Sequence, residues 1–381
     1  MFDIILVSWD GEIMKLNKKL IIMLASVIGV IVVLIIVIML FAGSGSKKLS
    51  YEKIEEKIIA AGESYFEDND EELPDTGTKI IDVGALVEAG YLKDLSEYTS
   101  EDVTCDGKLY VAKNPSGYSY RAILDCGKKY LTKSLSGEIT KNVVTSGSGL
   151  YEMEQVDIDD VSKTQTVYVF RGDNVNNYIK IGERLWQIVK VYQNGEIAIV
   201  GDPDALRTNW DNRYNIDVKK YSGINDYSVS RMRDSITTKV INNQDGYLKI
   251  KSFITTHTAC IGKRSLEDDS RDGSAECAEI LEEQYFSLIP TYEYMNASLD
   301  VNCNKALDSS CSNYNYLSNM GEESWTITGV LENSQDVYFI DKTLDIDNAK
   351  GTKSVRLYAH LDPSVMLVSG TGTYNDPYII K

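Results

Sequence analysis

Residues 167–200 read VYVFRGDNVNNYIKIGERLWQIVKVYQNGEIAIV, and the reading of this stretch decides the fold of the C-terminal half. Val167-Tyr168-Val169-Phe170 is a run of β-formers that stops at the turn residues Arg171-Gly172-Asp173-Asn174. Tyr178-Ile179-Lys180-Ile181 and residues 184–191 then alternate apolar and polar side chains, and Gln193-Asn194-Gly195-Glu196 carries the Asn-Gly signal of a tight hairpin into Ile197-Ala198-Ile199-Val200. A period of two lines one face of a strand, not of a helix, so the segment predicts an antiparallel meander.

Downstream, residues 324–331, 337–341, 355–361 and 378–380 carry further strand signals, with Gly370-Thr371-Gly372-Thr373 as the last turn. Between these and the meander, residues 227–236 place Val229, Met232 and Ile236 at helical spacing, and the chain onward to Phe286 is irregular and polar. Upstream, residues 136–165 are rich in Ser and Gly and read as a linker. Residues 47–135 read as a small α+β unit. An amphipathic helix there carries Ile54, Ile58 and Ala61 behind the N-cap candidate Ser50, and a short helix follows over 82–90. Strands are expected over 108–112, 118–125 and 129–132, with Cys105 and Cys126 bracketing the first hairpin.

Residues 20–41, LIIMLASVIGVIVVLIIVIMLF, contain no charge and no Pro. A helix over them would be about 33 Å long, the thickness of a bilayer's hydrocarbon core. They are expected to form an uncleaved transmembrane helix after a cytoplasmic tail, residues 1–19, with the Gly/Ser stretch 42–46 as a flexible collar. Lysines flank the span on both sides, so charge alone does not orient it. All six Cys follow it, which places the long C-terminal portion outside the cytoplasm. Met14-Lys15-Leu16-Asn17-Lys18-Lys19 reads as a natural start for an export signal, an alternative to Met1.

The formal net charge of −18 excludes the basic face that nucleic-acid binding requires. With two His among 381 residues, His257 and His360, there is little imidazole for general-base work or metal ligation, and no G-x-S-x-G or phosphate-cradling Gly loop occurs. The expectation is therefore a protein that is not an enzyme. Cys105/Cys126, Cys260/Cys277 and Cys303/Cys311 are neighbours in sequence, which makes them the economical disulfide pairs although six Cys leave the connectivity open.

Three stretches carry a resemblance: VFRGDNVNNYIKIGERLWQIVKV (169–191), LIPTYEYMNASLD (288–300) with YLSNMGEESWTITG (316–329), and SVRLYAHLDPSVMLVSGTGTYNDPYII (354–380). Together they resemble exported proteins of Gram-positive gut bacteria and their relatives. The resemblance implies, for residues 166–381, the loop-rich mixed fold shared by C-type lectins and formylglycine-generating enzymes. Trp186, Trp325, Arg356 and Asn375-Asp376-Pro377-Tyr378 carry it, and Leu357 stands where the resembled pattern has Pro. The first half is similar in layout to type IV pilins and pseudopilins, without their Phe-Thr-Leu-x-x-Glu-like start.

Arg171-Gly172-Asp173 reads as a turn between strands rather than a displayed recognition tripeptide. Trp186 lies in an alternating strand and reads as core. Trp210, inside the polar run 207–214, reads as an exposed aromatic, so Trp210, Asp211 and Arg213 are the candidate ligand-binding residues. Asp341, Asp345 and Asp347, with Asp202, Asp204 and Asp211, are the carboxylates available to Ca²⁺, although neither group has EF-hand spacing and no cofactor is expected.

The expected whole is an α+β protein: an N-terminal transmembrane helix, a small α+β stalk domain (47–135), a linker (136–165) and a larger, loop-rich, C-type-lectin-like mixed domain (166–381). It would sit in the cell membrane by a single pass with its C-terminal domain extracellular, and bind a glycan, wall polymer or protein. A pilin-like or secretion-system envelope component, and a formylglycine-generating-like enzyme, are the alternatives.

Overall fold

The computed structural model describes residues 48–381 except 159, 202–205, 243–247, 301, 304, 306–314 and 319–320. The expected cytoplasmic tail (1–19), span (20–41) and collar lie outside the described residues, as do Asp202, Asp204 and Cys311.

In the first unit, helix α1 (Tyr51–Asp68) starts where the Ser50 hydroxyl accepts a hydrogen bond from the Lys53 amide. Its Ile54, Ile58, Ala61 and Phe66 are buried, an apolar stripe at helical spacing. They pack on an antiparallel sheet of β1 (Thr78–Asp82), β2 (Asp106–Asn114) and β3 (Gly117–Asp125), in that order. Leu109, Val111, Ala122 and Leu124 form the buried face beneath the helix, joined by Val83 and Leu86 of α2 (Val83–Glu88). Gly62 sets the closeness of this packing, because a Cβ there would lie 2.1 Å from Cδ2 of fully buried Leu109. Cys105 and Cys126 are disulfide-bonded across the open end of the β2–β3 hairpin. The third expected strand reduces to a single bridge between Asp125 and Leu131.

The second unit is built on a ten-stranded sheet. The meander falls where the pattern places it: β5 (Thr164–Arg171), β6 (Tyr178–Ile181), β7 (Arg184–Tyr192) and β8 (Ile197–Gly201). Strand β7 pairs with β8 along one edge and shares its other edge between β6 and β5. A bulge between Ile188 and Lys190 resets its alternation, so residues 186–192 are all buried, Gln187 and Lys190 included. The stretch expected as a linker is structured. Helix α3 (Leu135–Ile139) buries Leu135 and Ile139, and β4 (Gly149–Val156) pairs with β5 over its whole length. Ser146, Gly147 and Ser148 sit in the turn before β4, while Leu150 and Val156 of β4 are buried.

Between β8 and the C-terminal strands lie β9 (Arg207–Asn209), the hairpin of β10 (Tyr214–Asn215) with β11 (Lys220–Tyr221), and helices α4 (Arg231–Ile236) and α5 (Leu248–Lys251). Then come β12 (Ile254–Thr255), β13 (His257–Cys260), β14 (Ile280–Gln284), β15 (Ser287–Leu288) and the wholly buried helix α6 (Thr291–Ala297). Strands β16 (Ser324–Gly329), β17 (Asp336–Ile340), β18 (Leu344–Asn348) and β19 (Thr352–Ser354) form a second sheet with β9. Strands β20 (Leu357–Leu361), β21 (Leu367–Ser369) and β22 (Tyr378–Ile380) return to the first.

The two units touch through polar contacts. Arg121 donates to the Ser252 carbonyl at 2.6 Å and lies 3.8 Å from buried Asp362, which also accepts from the Thr78 hydroxyl. Glu55 accepts from Lys381 of the second unit and from Tyr130 and Thr132 of its own.

This architecture corrects the expected fold class, α+β with an N-terminal transmembrane helix, a small stalk and a C-type-lectin-like mixed domain, in its strand content; the helix expected over 20–41 lies outside the described residues. The described residues are β-rich, 38% strand against 22% helix. Among the described residues no helix is long and apolar enough to cross a membrane. Short strands and tight turns account for most of what sequence reading took for irregular loop, because strands of two to five residues are too brief to show a periodicity.

Candidate functional site

Two of the three residues singled out for ligand binding are buried. Trp210 is fully buried and its Nε1 donates to the Thr326 carbonyl at 3.0 Å. Asp211, also fully buried, accepts from the Arg213 guanidinium at 2.6 Å and from the amide of Arg231 at 3.2 Å, so it fastens the loop before β10 to the start of α4. The three are neighbours: Trp210 and Asp211 are buried, and Arg213 is partly exposed beside them. The expectation of an exposed Trp210 failed because a polar run hid an indole that reaches inward across it. Of the carboxylates proposed for Ca²⁺, Asp347 is ion-paired with Lys353 at 3.0 Å, and Asp345 accepts from the amide of Ile346. Among the described residues no group of three His, Cys, Asp or Glu is placed to hold a metal ion. Arg171 of the Arg-Gly-Asp turn donates to the carbonyls of Asn296 and Ser298.

Sequence reasoning missed a buried polar cluster. Thr255 pairs with His360 across β12 and β20, His360 with Ala198 across β20 and β8, and these registers bring the chain's two His together. Their rings stack with centroids 4.3 Å apart. His360 Nδ1 meets the carboxylate of Glu196, and His257 Nε2 lies 3.0 Å from Ser287 Oγ. Burial first, and then repulsion from His360, pushes His257 well below the usual imidazole range; burial and Lys190 do the same to His360. Burial raises Glu196. Beside them Lys190 is ion-paired with Glu293 at 2.5 Å and hydrogen-bonded to Gln155 at 2.9 Å, under Tyr192, Tyr292 and Tyr358. The cavity against the histidines measures about 10 Å³. That is space for a single water. A Ser-His pair borders this small cavity.

A large concave surface lies in the first unit. An open cleft of about 1110 Å³ is bounded by α2, by the turn at Asp94–Ser96, by residues 100–104 and by the ends of β2 and β3. Its lining holds six carboxylates, Asp82, Glu88, Asp94, Glu101, Asp106 and Asp125, against one cation, Lys108. The fold puts them there. Asp82 occupies the N-cap position of α2 yet makes no side-chain capping bond. Asp106 and Asp125 face each other directly across β2 and β3, a like-charge pair that costs stability. Asp94 accepts from the hydroxyl and amide of Ser96, which holds its carboxyl below the usual range. Among the described residues none of the six is within ion-pair distance of a Lys or Arg.

The floor is apolar: Val87, Val103, Tyr110, Ile123 and Leu131 line it, and Leu131 is 57% exposed. Ile80, paired with Tyr110 across β1 and β2, is 52% exposed beside it. The carboxylates are spread around an apolar floor and do not converge on a point, so the cleft offers an extended negative field and not a chelating site. The adjacent disulfide fixes the ends of both strands that present it.

Cys260 and Cys277 form a second, buried disulfide, and Cys303 is also disulfide-bonded. It closes a loop held inside by Arg264, whose guanidinium makes two hydrogen bonds to buried Glu276 at 2.9 and 3.0 Å. Comparison with protein-family models, curated proteins and solved structures returns no match for this chain, so its function is read from its own residues.

Proposed function

We propose that this is a cell-surface binding protein, its disulfide-bearing part facing outward from the cell membrane, and that its ligand is a cationic, amphipathic polypeptide segment. One observation carries the reading: a cleft of about 1110 Å³ with six exposed carboxylates, one lysine and an apolar floor. A segment with Lys or Arg on one side and apolar residues on the other would relieve the Asp106–Asp125 repulsion and cover Ile80 and Leu131 together. Two described disulfides support an oxidising compartment. The one-water cavity at His257 and the bonded state of Cys260 and Cys277 support binding over catalysis.

The test is fluorescence anisotropy of a labelled Lys/Leu-rich peptide against the oxidised full-length chain, with an acidic peptide of matched hydrophobicity as control. The expected result is saturable binding of the basic peptide that weakens steeply with salt, and no binding of the acidic one. Equal binding of both would refute the charge-based reading, and no binding of either would refute the proposal.

A further inference from the structure

The cleft's complement is present elsewhere on the same chain. The β10–β11 hairpin forms a two-stranded sheet separate from the larger sheets. Its base is fixed: Asn215 is buried and donates to the carbonyls of Gly223 at 2.7 Å and Ser334 at 3.0 Å. Its tip is bare. Residues 216–221 are all exposed, Ile216 at 77% and Tyr221 at 72%. Tyr214 and Tyr221 stack edge to face with centroids 5.3 Å apart, and Val218 is exposed between Ile216 and the adjacent Lys219 and Lys220. An exposed aromatic and aliphatic tip bearing Lys219 and Lys220 against a single carboxylate, Asp217, stands out on a chain of net charge −18. It has the composition the acidic, apolar-floored cleft would take, and none of its residues lines the cleft of its own chain.

We propose that the 214–221 hairpin of one copy docks into the cleft of a second copy. This rests on the cleft being the binding site and names its occupant. Lys219 and Lys220 meet the Asp106 and Asp125 pair, while Ile216 and Tyr221 cover the floor at Ile123 and Leu131. Donor and acceptor surfaces are different parts of the molecule, so the contact is head-to-tail. A pair of chains leaves one free hairpin and one free cleft, and association continues beyond two. A hairpin of this size buries less than a standard interface, so association is weak and salt-sensitive.

Complementation between two variants tests this, with the full-length oxidised chain in mild non-ionic detergent followed by sedimentation velocity. Lys219→Glu/Lys220→Glu keeps the cleft and loses the hairpin; Asp106→Asn/Asp125→Asn keeps the hairpin and loses the cleft's charge. All four positions are exposed, and unchanged circular dichroism establishes that each variant is folded. The wild type is expected to form species larger than two chains as concentration rises. Each variant alone associates at least about tenfold more weakly. Their equimolar mixture forms a species of two chains and stops there. A wild type that stays monomeric, variants that associate like the wild type, or a mixture that remains monomeric would overturn the proposal. Binding of the basic peptide by the wild type separates the outcomes: if the wild type binds the peptide but stays monomeric, the cleft stands as a binding site and only this occupant is wrong.

Discussion

Replacing Lys190 by Met removes the positive end of an ion pair that is almost completely sealed, with side-chain exposures of 1% for Lys190 and 0% for Glu293. The carboxylate would keep its burial and lose the ammonium at 2.5 Å, and the Gln155 oxygen at 2.9 Å and the Tyr292 hydroxyl at 3.3 Å would lose a partner too. Breaking one side of a buried pair costs about 3–5 kcal/mol. Replacing both sides by apolar residues of similar volume removes the stranded charge, so Lys190→Met/Glu293→Leu should cost at least about 2 kcal/mol less than the sum of the two single changes. The double variant does not return fully to wild type, because Gln155, Tyr292 and Tyr358 remain buried with fewer partners, each costing about 1 kcal/mol or more. The assay is a double-mutant cycle by urea unfolding at neutral pH with disulfides intact, followed by near-ultraviolet circular dichroism. Single variants costing under about 1 kcal/mol, or strict additivity, would refute the view that a desolvated charge pair pins β7 to α6.

Three further outcomes follow from particular contacts. His257 has a folded-state pKa pushed below its unfolded value of about 6.5. Below that pH the unfolded chain binds a proton the folded chain refuses, so stability falls on acidification; raised Glu196 and Glu276 act in the opposite sense, their cost being relieved as pH falls. His257→Gln should flatten the acid limb of a stability-versus-pH curve by about one proton below about pH 6.5, and an unchanged slope would contradict the burial argument. Gly62→Val should destabilise the first unit by about 1–3 kcal/mol, read from the thermal transition, because the added side chain overlaps Cδ2 of buried Leu109 and forces it to shift. Trp210→Ala should cost about 3–5 kcal/mol in urea unfolding, while under conditions where the variant is folded the affinity for basic peptide stays at the wild-type value.

The meander around Trp186 was legible because alternation over four to eight residues, with an Asn-Gly turn, has few other readings. The helix behind Ser50 was legible for the same kind of reason, a cap followed by apolar residues at helical spacing. The paired burial of Lys190 and Glu293 was not legible, since it needs a bulge at β7 and a helix more than 100 positions later in the chain. Likewise His257 and His360 meet only through the β12–β20–β8 ladder. Asp106 and Asp125 were readable as charges flanking a hairpin, but their direct opposition depends on register, which Cys105 and Cys126 fix. Trp210 misled because surrounding polarity was taken for exposure, whereas its polar neighbours Asp211 and Arg213 satisfy one another.

Hydrogen–deuterium exchange of the full-length oxidised chain, with and without the basic peptide at saturation, locates the binding site directly. Protection confined to residues 82–88, 100–110 and 123–131 is the predicted footprint. Protection elsewhere, with these segments unchanged, would contradict the assignment of the acidic cleft as the binding surface.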